Sequence, residues 1–196
     1  MNLALFDFDG TITKKDSFLD FLKYSFPAGQ VWRSTFALLH WLAGYKIGLV
    51  SVNRAKEKVL IRFFKGLPAE QLEQMGEKYA LEALPRIIRK SSLAKIEEHI
   101  QNGDQVVIVT ASVTQYVKPF ASKLGVSLLS TEMEVRNGIL TGKLEGKNCR
   151  GAEKARRIKA AYNLSEYASI YAYGDTKGDR EMLSLANFPF MKHFGH

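Results

Sequence analysis

Three short apolar runs, each followed by polar residues, constrain the fold of this chain most strongly. They are residues 3–9 (LALFDFD), 105–110 (QVVIVT) and 168–173 (ASIYAY). Buried strands of this kind, separated by helical patterns, predict a parallel sheet with helices on both faces. Ligands of such sheets bind beyond the carboxyl ends of the strands. The sequence therefore predicts an α/β fold whose site lies where Asp7, Asp9, Thr110 and Asp175 converge.

The segments between these strands have a helical pattern. Helices are predicted within residues 16–84, and over 85–101, 114–124, 151–162 and 179–186. A further short strand is expected at 127–130. Asn137-Gly138, between two more strand-like segments, is a strong signal for a β-hairpin.

Composition limits the class of protein, the charge of its partners and the cell compartment in which we expect it. The chain of 196 residues is 46% hydrophobic and 24% charged, which excludes a disordered or collagen-like chain. Its net charge of +8 favours anionic partners such as phosphates, acidic lipid or nucleic acid. A single cysteine, Cys149, cannot form an internal disulfide, and no secretory signal is expected because an acid follows only a few apolar residues. We expect a cytoplasmic protein.

Asp7 and Asp9 share one face of the first predicted strand, because side chains alternate along a strand. One carboxylate could act as a nucleophile and the other as a proton donor and acceptor. Gly10 would allow a sharp turn and the approach of a phosphate to backbone amides. The alternative is an ordinary Asp-Gly turn with both acids solvated.

Asp175 and Asp179 add two carboxylates at another strand end, and hard oxygen ligands of this kind suit Mg²⁺. Asp179 could equally cap the last helix. Thr110 ends the second predicted strand, and Ala111-Ser112 after it are expected at a helix N-terminus, which could bind an anion; alternatively, Thr110 is a simple helix cap. Lys154 is expected to balance the charge of these carboxylates and a phosphate.

In this order, Asp7-Phe8-Asp9-Gly10-Thr11, Thr110, Lys154 and Gly174-Asp175-x-x-x-Asp179 resemble the four motifs of the haloacid dehalogenase superfamily. The resemblance spans the whole chain and is strongest to the phosphoserine-phosphatase-like branch. It implies a Rossmann-like catalytic core over residues 1–15 and 85–196, with a helical cap inserted at 16–84.

The same resemblance implies a Mg²⁺-dependent phosphatase acting on a small organic phosphate ester. Asp7 would form an aspartyl-phosphate, and Asp9 would protonate the leaving oxygen and then activate water. The ion would be held by the Asp7 carboxylate, the Asp9 backbone carbonyl and Asp175, with Asp179 in support. Gly10, Thr110, Ala111 and Lys154 would bind the phosphoryl group. The acid at position 9 favours phosphate esters over halides, which leave without a proton.

Two departures from phosphoserine phosphatases bear on the substrate. The glutamate that those enzymes carry nine positions after the nucleophile is replaced here by Asp16, which is one methylene shorter. Their Ser-Gly-Gly motif is replaced by Thr110-Ala111-Ser112. Asp16 is therefore a candidate specificity residue for a substrate other than simple phosphoserine. A phosphotransferase using the same intermediate fits the motifs equally well.

Residues 31–50 form the most apolar stretch, which Arg33 and Lys46 interrupt. The uncharged run 34–45 falls short of the ~20 residues of a membrane-spanning helix. The stretch predicts either a buried cap helix or a helix at the surface of an anionic membrane. In the second case the chain would resemble a phosphatidylglycerophosphate-type lipid phosphatase, and the residues touching lipid would be Trp32, Phe36, Leu39 and Trp41. No nucleic-acid-binding signature accompanies the basic charge, and the sequence leaves the oligomeric state open.

Overall fold

A six-stranded sheet in the order β4-β3-β2-β1-β5-β6 forms the centre of the computed structural model, which describes residues 1–194. The side chains of residues 42, 44–46 and 52 are outside the described part. Residues 195 and 196, the end of the predicted core, also lie outside it. The strands are β1 (Leu3–Phe6), β2 (Gln105–Val113), β3 (Ser127–Arg136), β4 (Ile139–Glu145), β5 (Ile170–Gly174) and β6 (Phe188–Met191).

Strand β1 lies in the middle and pairs in parallel with β2 and β5. Leu3 to Phe6 are fully buried, as expected for a strand covered on both faces. Among the six described strands only β4 is antiparallel; it folds back on β3 through Asn137-Gly138, whose φ values of 50° and 77° match the predicted hairpin turn. The predicted α/β fold with a parallel-dominated sheet is confirmed.

Eight helices accompany the sheet within the described residues. They are α1 (Ser17–Ser25), α2 (Ala28–Lys46), α3 (Val52–Phe64), α4 (Ala69–Glu82), α5 (Lys90–Gln101), α6 (Thr114–Leu124), α7 (Ala152–Ala161) and α8 (Arg180–Leu183). Short 3₁₀ turns lie at Leu84–Arg86, Leu164–Glu166 and Lys177–Asp179.

Several predicted boundaries are wrong. The first strand ends at Phe6 rather than residue 9, because Phe8–Ile12 turn sharply. The helix expected over 85–101 begins only at Lys90, since Pro85 belongs to a separate 3₁₀ turn. The last helix, expected over 179–186, spans only Arg180–Leu183. Strand β6 has no counterpart among the predicted elements.

Helices α1 to α4 occupy the segment predicted as a cap. Its apolar side chains, such as Phe21 and Tyr79, join those of Phe8 and Tyr116 in one continuous hydrophobic cluster. Helix α4 packs so closely on α6 that a Cβ on Gly76 would lie 2.3 Å from the Gln115 carbonyl oxygen. The division into a core and a cap at residues 15/16 and 84/85 stays a prediction. Among the described helices, none combines the length and hydropathy needed to cross a bilayer.

Candidate active site

All nine residues singled out from the sequence line one cavity of about 420 Å³ at the carboxyl ends of β1, β2 and β5. They are Asp7, Asp9, Gly10, Asp16, Thr110, Ala111, Lys154, Asp175 and Asp179. Parallel strands end at the same edge of the sheet, which explains how residues far apart in the chain meet there.

The Lys154 ammonium is buried between two carboxylates. Its Nζ donates to Asp7 Oδ1 at 2.5 Å and to Asp179 Oδ1 at 2.7 Å. Burial lowers the pKa of Lys154, but the charges of Asp7 and Asp179 outweigh it and the net pKa is raised. Burial raises the pKa of Asp7 to about 7, although Lys154 opposes that rise. Lys154 therefore stays charged, whereas a proton and a cation can compete for Asp7.

Asp7, Asp175 and Asp179 form a compact group of carboxylates. One oxygen from each lies within 4.8 Å of the other two. Hard oxygen donors of this kind match Mg²⁺. Gly10 makes room for the group: its φ is +81°, and a Cβ there would lie 2.0 Å from Asp175 Oδ2. The donor set and the space beside it fit a small divalent cation.

Asp179 is fixed by a second set of donors. Its Oδ2 accepts from the Thr176 N–H at 3.0 Å, the Thr176 hydroxyl at 3.0 Å and the Asp175 N–H at 3.3 Å. Burial raises the pKa of Asp179, but Lys154 and these donors lower it below its usual value. The prediction that Asp179 caps the last helix is wrong: Asp179 precedes α8, but its side chain makes no capping hydrogen bond to that helix. It is instead the third residue of a capping box that Thr176 begins in the preceding 3₁₀ turn, while its other carboxylate oxygen contacts Lys154.

The Asp9 carboxylate lies in the same cavity but is held by donors of its own. Its Oδ1 accepts from the Ser17 N–H at 2.6 Å, and its Oδ2 accepts from the Ser112 hydroxyl at 2.5 Å. Tyr116 in turn donates to the Ser112 hydroxyl at 2.6 Å. Asp9 is thus oriented by the first residue of α1 on one side and by the β2–α6 junction on the other.

The local structure expected around Thr110 is wrong. Helix α6 begins at Thr114, so Thr110 and Ala111 lie inside β2 rather than at a helix N-terminus. Pairing between β2 and β3 is interrupted between Val109 and Val113, which leaves this part of the strand irregular. The Thr110 hydroxyl accepts from the Ser112 N–H at 2.9 Å. Both predicted residues still line the cavity.

Asp16 is the N-cap of α1, where its Oδ1 accepts from the Leu19 N–H at 2.8 Å. Burial and the charge of Asp9 raise the pKa of Asp16. Helix capping explains its position without a substrate, and its role in specificity stays a prediction.

Comparison with known proteins identifies the family. Residues 4–184 match the haloacid dehalogenase-like hydrolases. This chain belongs to that family. Protein CicA of Caulobacter vibrioides is 37% identical over 189 residues, covering 94% of this chain and 83% of that protein. A phosphoserine phosphatase of Archaeoglobus fulgidus is 26% identical over 188 residues, 94% of this chain and 50% of its own length. A Bordetella pertussis protein of unknown function has a similar structure, with a TM-score of 0.79 and 26% identity over 94% of this chain and 86% of that one.

Membership of the haloacid dehalogenase-like hydrolases confirms the family recognised from the four motifs. Further residues of the site had not been identified from the sequence. Lys56, in the first turns of α3, donates to the Ala111 carbonyl and, at 3.0 Å, to Asn148 Oδ1. Burial lowers its pKa to about 8. Lys56 and Ala111 are 55 positions apart, and no local pattern reports a contact of that kind.

The cavity walls also carry cations that the motifs do not include: Lys14, Lys15, Arg89 and Arg150. Arg150 lies over Gly178, where a Cβ would be 2.9 Å from its Nε. Arg89 donates to the Thr13 carbonyl at 3.2 Å. Lys15 is paired with Asp20, so Lys14, Arg89 and Arg150 supply the positive charge with which the cavity walls can attract an anion. Lys14 and Lys15 directly follow the first motif, and this basic pair is a sequence signal for the charge of the cavity wall.

Proposed function

We propose that this hydrolase is a Mg²⁺-dependent phosphomonoesterase that works through an aspartyl-phosphate on Asp7. The observation that carries the proposal is the placement of the Asp7 carboxylate, which accepts from Lys154 and has an oxygen within 4.8 Å of carboxylate oxygens of Asp175 and Asp179. Such a nucleophile can meet a phosphate dianion only if cations balance the charge. The 26% identical phosphoserine phosphatase supports this reaction class.

In the first step an oxygen of Asp7 attacks phosphorus, and the bond between phosphorus and the ester oxygen breaks. The carboxylic acid form of Asp9 gives its proton to the leaving oxygen. Two of the three Lys154 N–H donors go to Asp7 and Asp179 within the described structure. The third can donate to a phosphoryl oxygen, and Thr110 and the Ala111 backbone lie in the same cavity wall to bind the others.

In the second step water attacks the phosphorus of the aspartyl-phosphate. Asp9, now ionised, accepts the proton from that water, and the bond between phosphorus and the Asp7 oxygen breaks. Inorganic phosphate leaves, and both carboxyl groups return to their starting forms. The Ser17 and Ser112 donors keep Asp9 in place through both steps.

The Asp7 and Asp175 carboxylates would hold Mg²⁺, with Asp179 in support, and the resemblance adds the Asp9 backbone carbonyl. When bound, the ion offsets negative charge on the phosphoryl oxygens and the carboxylates. Lys14, Arg89 and Arg150 on the cavity walls favour an ester that carries a second negative charge besides the phosphate.

The experiment that tests this proposal is phosphate release from a panel of monoesters, each with Mg²⁺ and with EDTA. The panel contains phosphoserine, sugar phosphates, nucleotides, an aryl phosphate and a phosphatidylglycerol phosphate. We expect Mg²⁺-dependent release that Asp7→Asn lowers to less than about one hundredth, because the nearly isosteric amide is not a nucleophile. A variant that keeps more activity than this would show that Asp7 is not the nucleophile.

The same panel separates hydrolysis from transfer to an acceptor alcohol. Hydrolysis releases one phosphate for each alcohol formed, whereas a phosphotransferase leaves phosphate in a new ester. The lipid member of the panel tests the alternative of a lipid phosphatase at a membrane surface.

A further inference from the structure

Helix α2 and the turn after it expose a set of large apolar side chains. Trp32 is 76% exposed, Phe36 78% and Leu39 50%, and Ile47 and Leu49 follow at 71% and 81%. Positions 32, 36 and 39 lie on one side of a helix because they are spaced four and three residues apart. We call these five residues the α2 face.

The opposite side of α2 is already packed. Leu38 and Ser34 are buried, and the Ser34 hydroxyl accepts from Arg62 of α3 at 3.2 Å. Trp41, expected from the sequence to touch lipid, is instead half-buried beneath Lys58, whose Nζ is 4.6 Å from the ring. The exposed side of α2 carries polar residues as well, such as Arg33, Thr35 and His40, and Trp32, Phe36 and Leu39 are the large apolar residues on it. Large exposed apolar residues grouped on one side of a helix, as at positions 32, 36 and 39, mark interaction sites.

The charge of the surrounding segment identifies the partner. Residues 21–56 contain no aspartate or glutamate, although the whole chain has 20, and they contain five of its lysines and arginines. Three of these, Lys23, Arg33 and Arg54, are exposed. The side chain of Lys46 lies outside the described part.

A second copy of this chain does not fit that charge pattern. A symmetric contact through the α2 face would bring two sets of cations together with no acid from the same segment to pair them. An anionic bilayer pairs them with lipid phosphates while the aromatic and aliphatic side chains enter the interface. We propose that the α2 face docks this protein on the surface of anionic membranes, with α2 lying in the plane of the interface.

Docking there would bring the cavity close to the lipid headgroups. Lys56, one turn into α3, touches the carbonyl of Ala111 in the cavity wall. Leu49 precedes Lys56 by seven residues, so their Cα atoms are within about 17 Å of each other. The α2 face is therefore close to the cavity wall, and the docking itself does not depend on the proposed reaction.

Both tryptophans of the chain lie in α2, so the protein carries its own probe. The test is to titrate the full chain with phosphatidylglycerol-containing vesicles and with phosphatidylcholine vesicles, at low and high salt. We expect a blue shift of tryptophan emission and co-sedimentation with the anionic vesicles only, both weakened by salt. No binding to anionic vesicles at low salt would overturn the proposal, and so would equal binding to phosphatidylcholine.

Variants of the α2 face and matched controls elsewhere on the protein test whether this face is the surface that binds the membrane. Phe36→Ala and Arg33→Glu are each expected to weaken partitioning about tenfold. Leu81→Ala, at another highly exposed leucine, and Lys159→Glu, the same charge change on α7, are expected to bind like the wild type. If the controls weaken binding as much as the α2 variants, the face is not the docking site.

Sedimentation velocity without lipid tests whether a second copy of this chain, rather than a membrane, covers the α2 face. We expect the wild type and Phe36→Ala to sediment alike. A dimer that Phe36→Ala dissociates, in a protein that ignores anionic vesicles, would assign the α2 face to a second copy and overturn the proposal. These measurements need no substrate, so their result is independent of the phosphatase assay.

Discussion

Lys154 shows, at the scale of single residues, how the site balances its charges. Its ammonium is buried between Asp7 and Asp179, and each of the three groups would be costly to bury alone. The lysine was predictable because four carboxylates and a phosphate require a cation. Its two hydrogen bonds were not, because they depend on how α7 packs beside β1 and the turn before α8.

Removing this cation should destabilise the fold as well as the reaction. We expect Lys154→Met to lower the free energy of unfolding by about 3–5 kcal/mol at pH 8, since it leaves two buried carboxylates without their partner. The loss should be smaller at pH 5, where those carboxylates can take up protons. Urea denaturation at both pH values measures this. Lys159→Met, on the exposed side of the same helix, serves as the control, and equal losses in the two variants would refute the expectation.

Two side chains without a predicted role, Ser112 and Tyr116, hold the Asp9 carboxylate in place. The Ser112 hydroxyl that it accepts from is itself held by Tyr116. We expect Ser112→Ala to lower kcat by about tenfold to a hundredfold, because a hydrogen bond to a charged group contributes about 1.5–3 kcal/mol. The pH profile of kcat should shift, and the free energy of unfolding should fall by no more than about 3 kcal/mol, the contribution of the lost hydrogen bond. Unchanged kcat and an unchanged profile would mean that Ser112 does not position Asp9.

At the scale of helices and strands, the sequence predicts the parts that have strong local patterns. The buried strands around Leu5, Val107 and Ala172 alternate with turns and helices, and this pattern places the polar strand ends at one edge of the sheet. Strand β6 was missed because Phe188–Met191 is short, mostly exposed and has no alternating pattern. The contact of Lys56 with Ala111 depends on packing of α3 against the core, which local sequence does not report.

Gly76 tests how tightly α4 packs on α6. A methyl group at this position would meet backbone atoms of Gln115, which cannot move aside without shifting the helix. We expect Gly76→Ala to lower the free energy of unfolding by about 1–3 kcal/mol despite the better helix propensity of alanine. Gly29→Ala, where nothing lies within 4 Å of the added Cβ, should be neutral or stabilising. Chemical denaturation compares them, and a neutral Gly76→Ala would show that the interface can expand.

The whole molecule concentrates acids at one site within a chain of net charge +8. The folded Asp7 keeps its proton up to a pKa of about 7, whereas the unfolded chain loses it near 3.8. Ionisation of Asp7 therefore lowers the stability of the metal-free folded protein as the pH rises from 3.8 to about 7. Mg²⁺ must displace the same proton, so it binds more weakly below pH 7.

Mg²⁺ should consequently raise the melting temperature more at pH 8 than at pH 6. At a hundred times its Kd the ion contributes about 2.7 kcal/mol, because it binds only the folded state. Thermal unfolding in millimolar Mg²⁺ and in EDTA measures the shift, with Asp175→Asn as the variant that should lose most of it. A melting temperature indifferent to Mg²⁺ at both pH values would contradict the proposed metal site.

The central claim is that Asp7 itself takes the phosphoryl group. Its most direct measurement is an acid quench during turnover of an aryl phosphate with Mg²⁺, followed by peptide mapping of the protein by mass spectrometry. We expect a phosphoryl group on the peptide that contains Asp7, labile to alkali and absent from Asp7→Asn. Turnover that leaves Asp7 unmodified in the wild type, or that continues at full rate in Asp7→Asn, would contradict the claim.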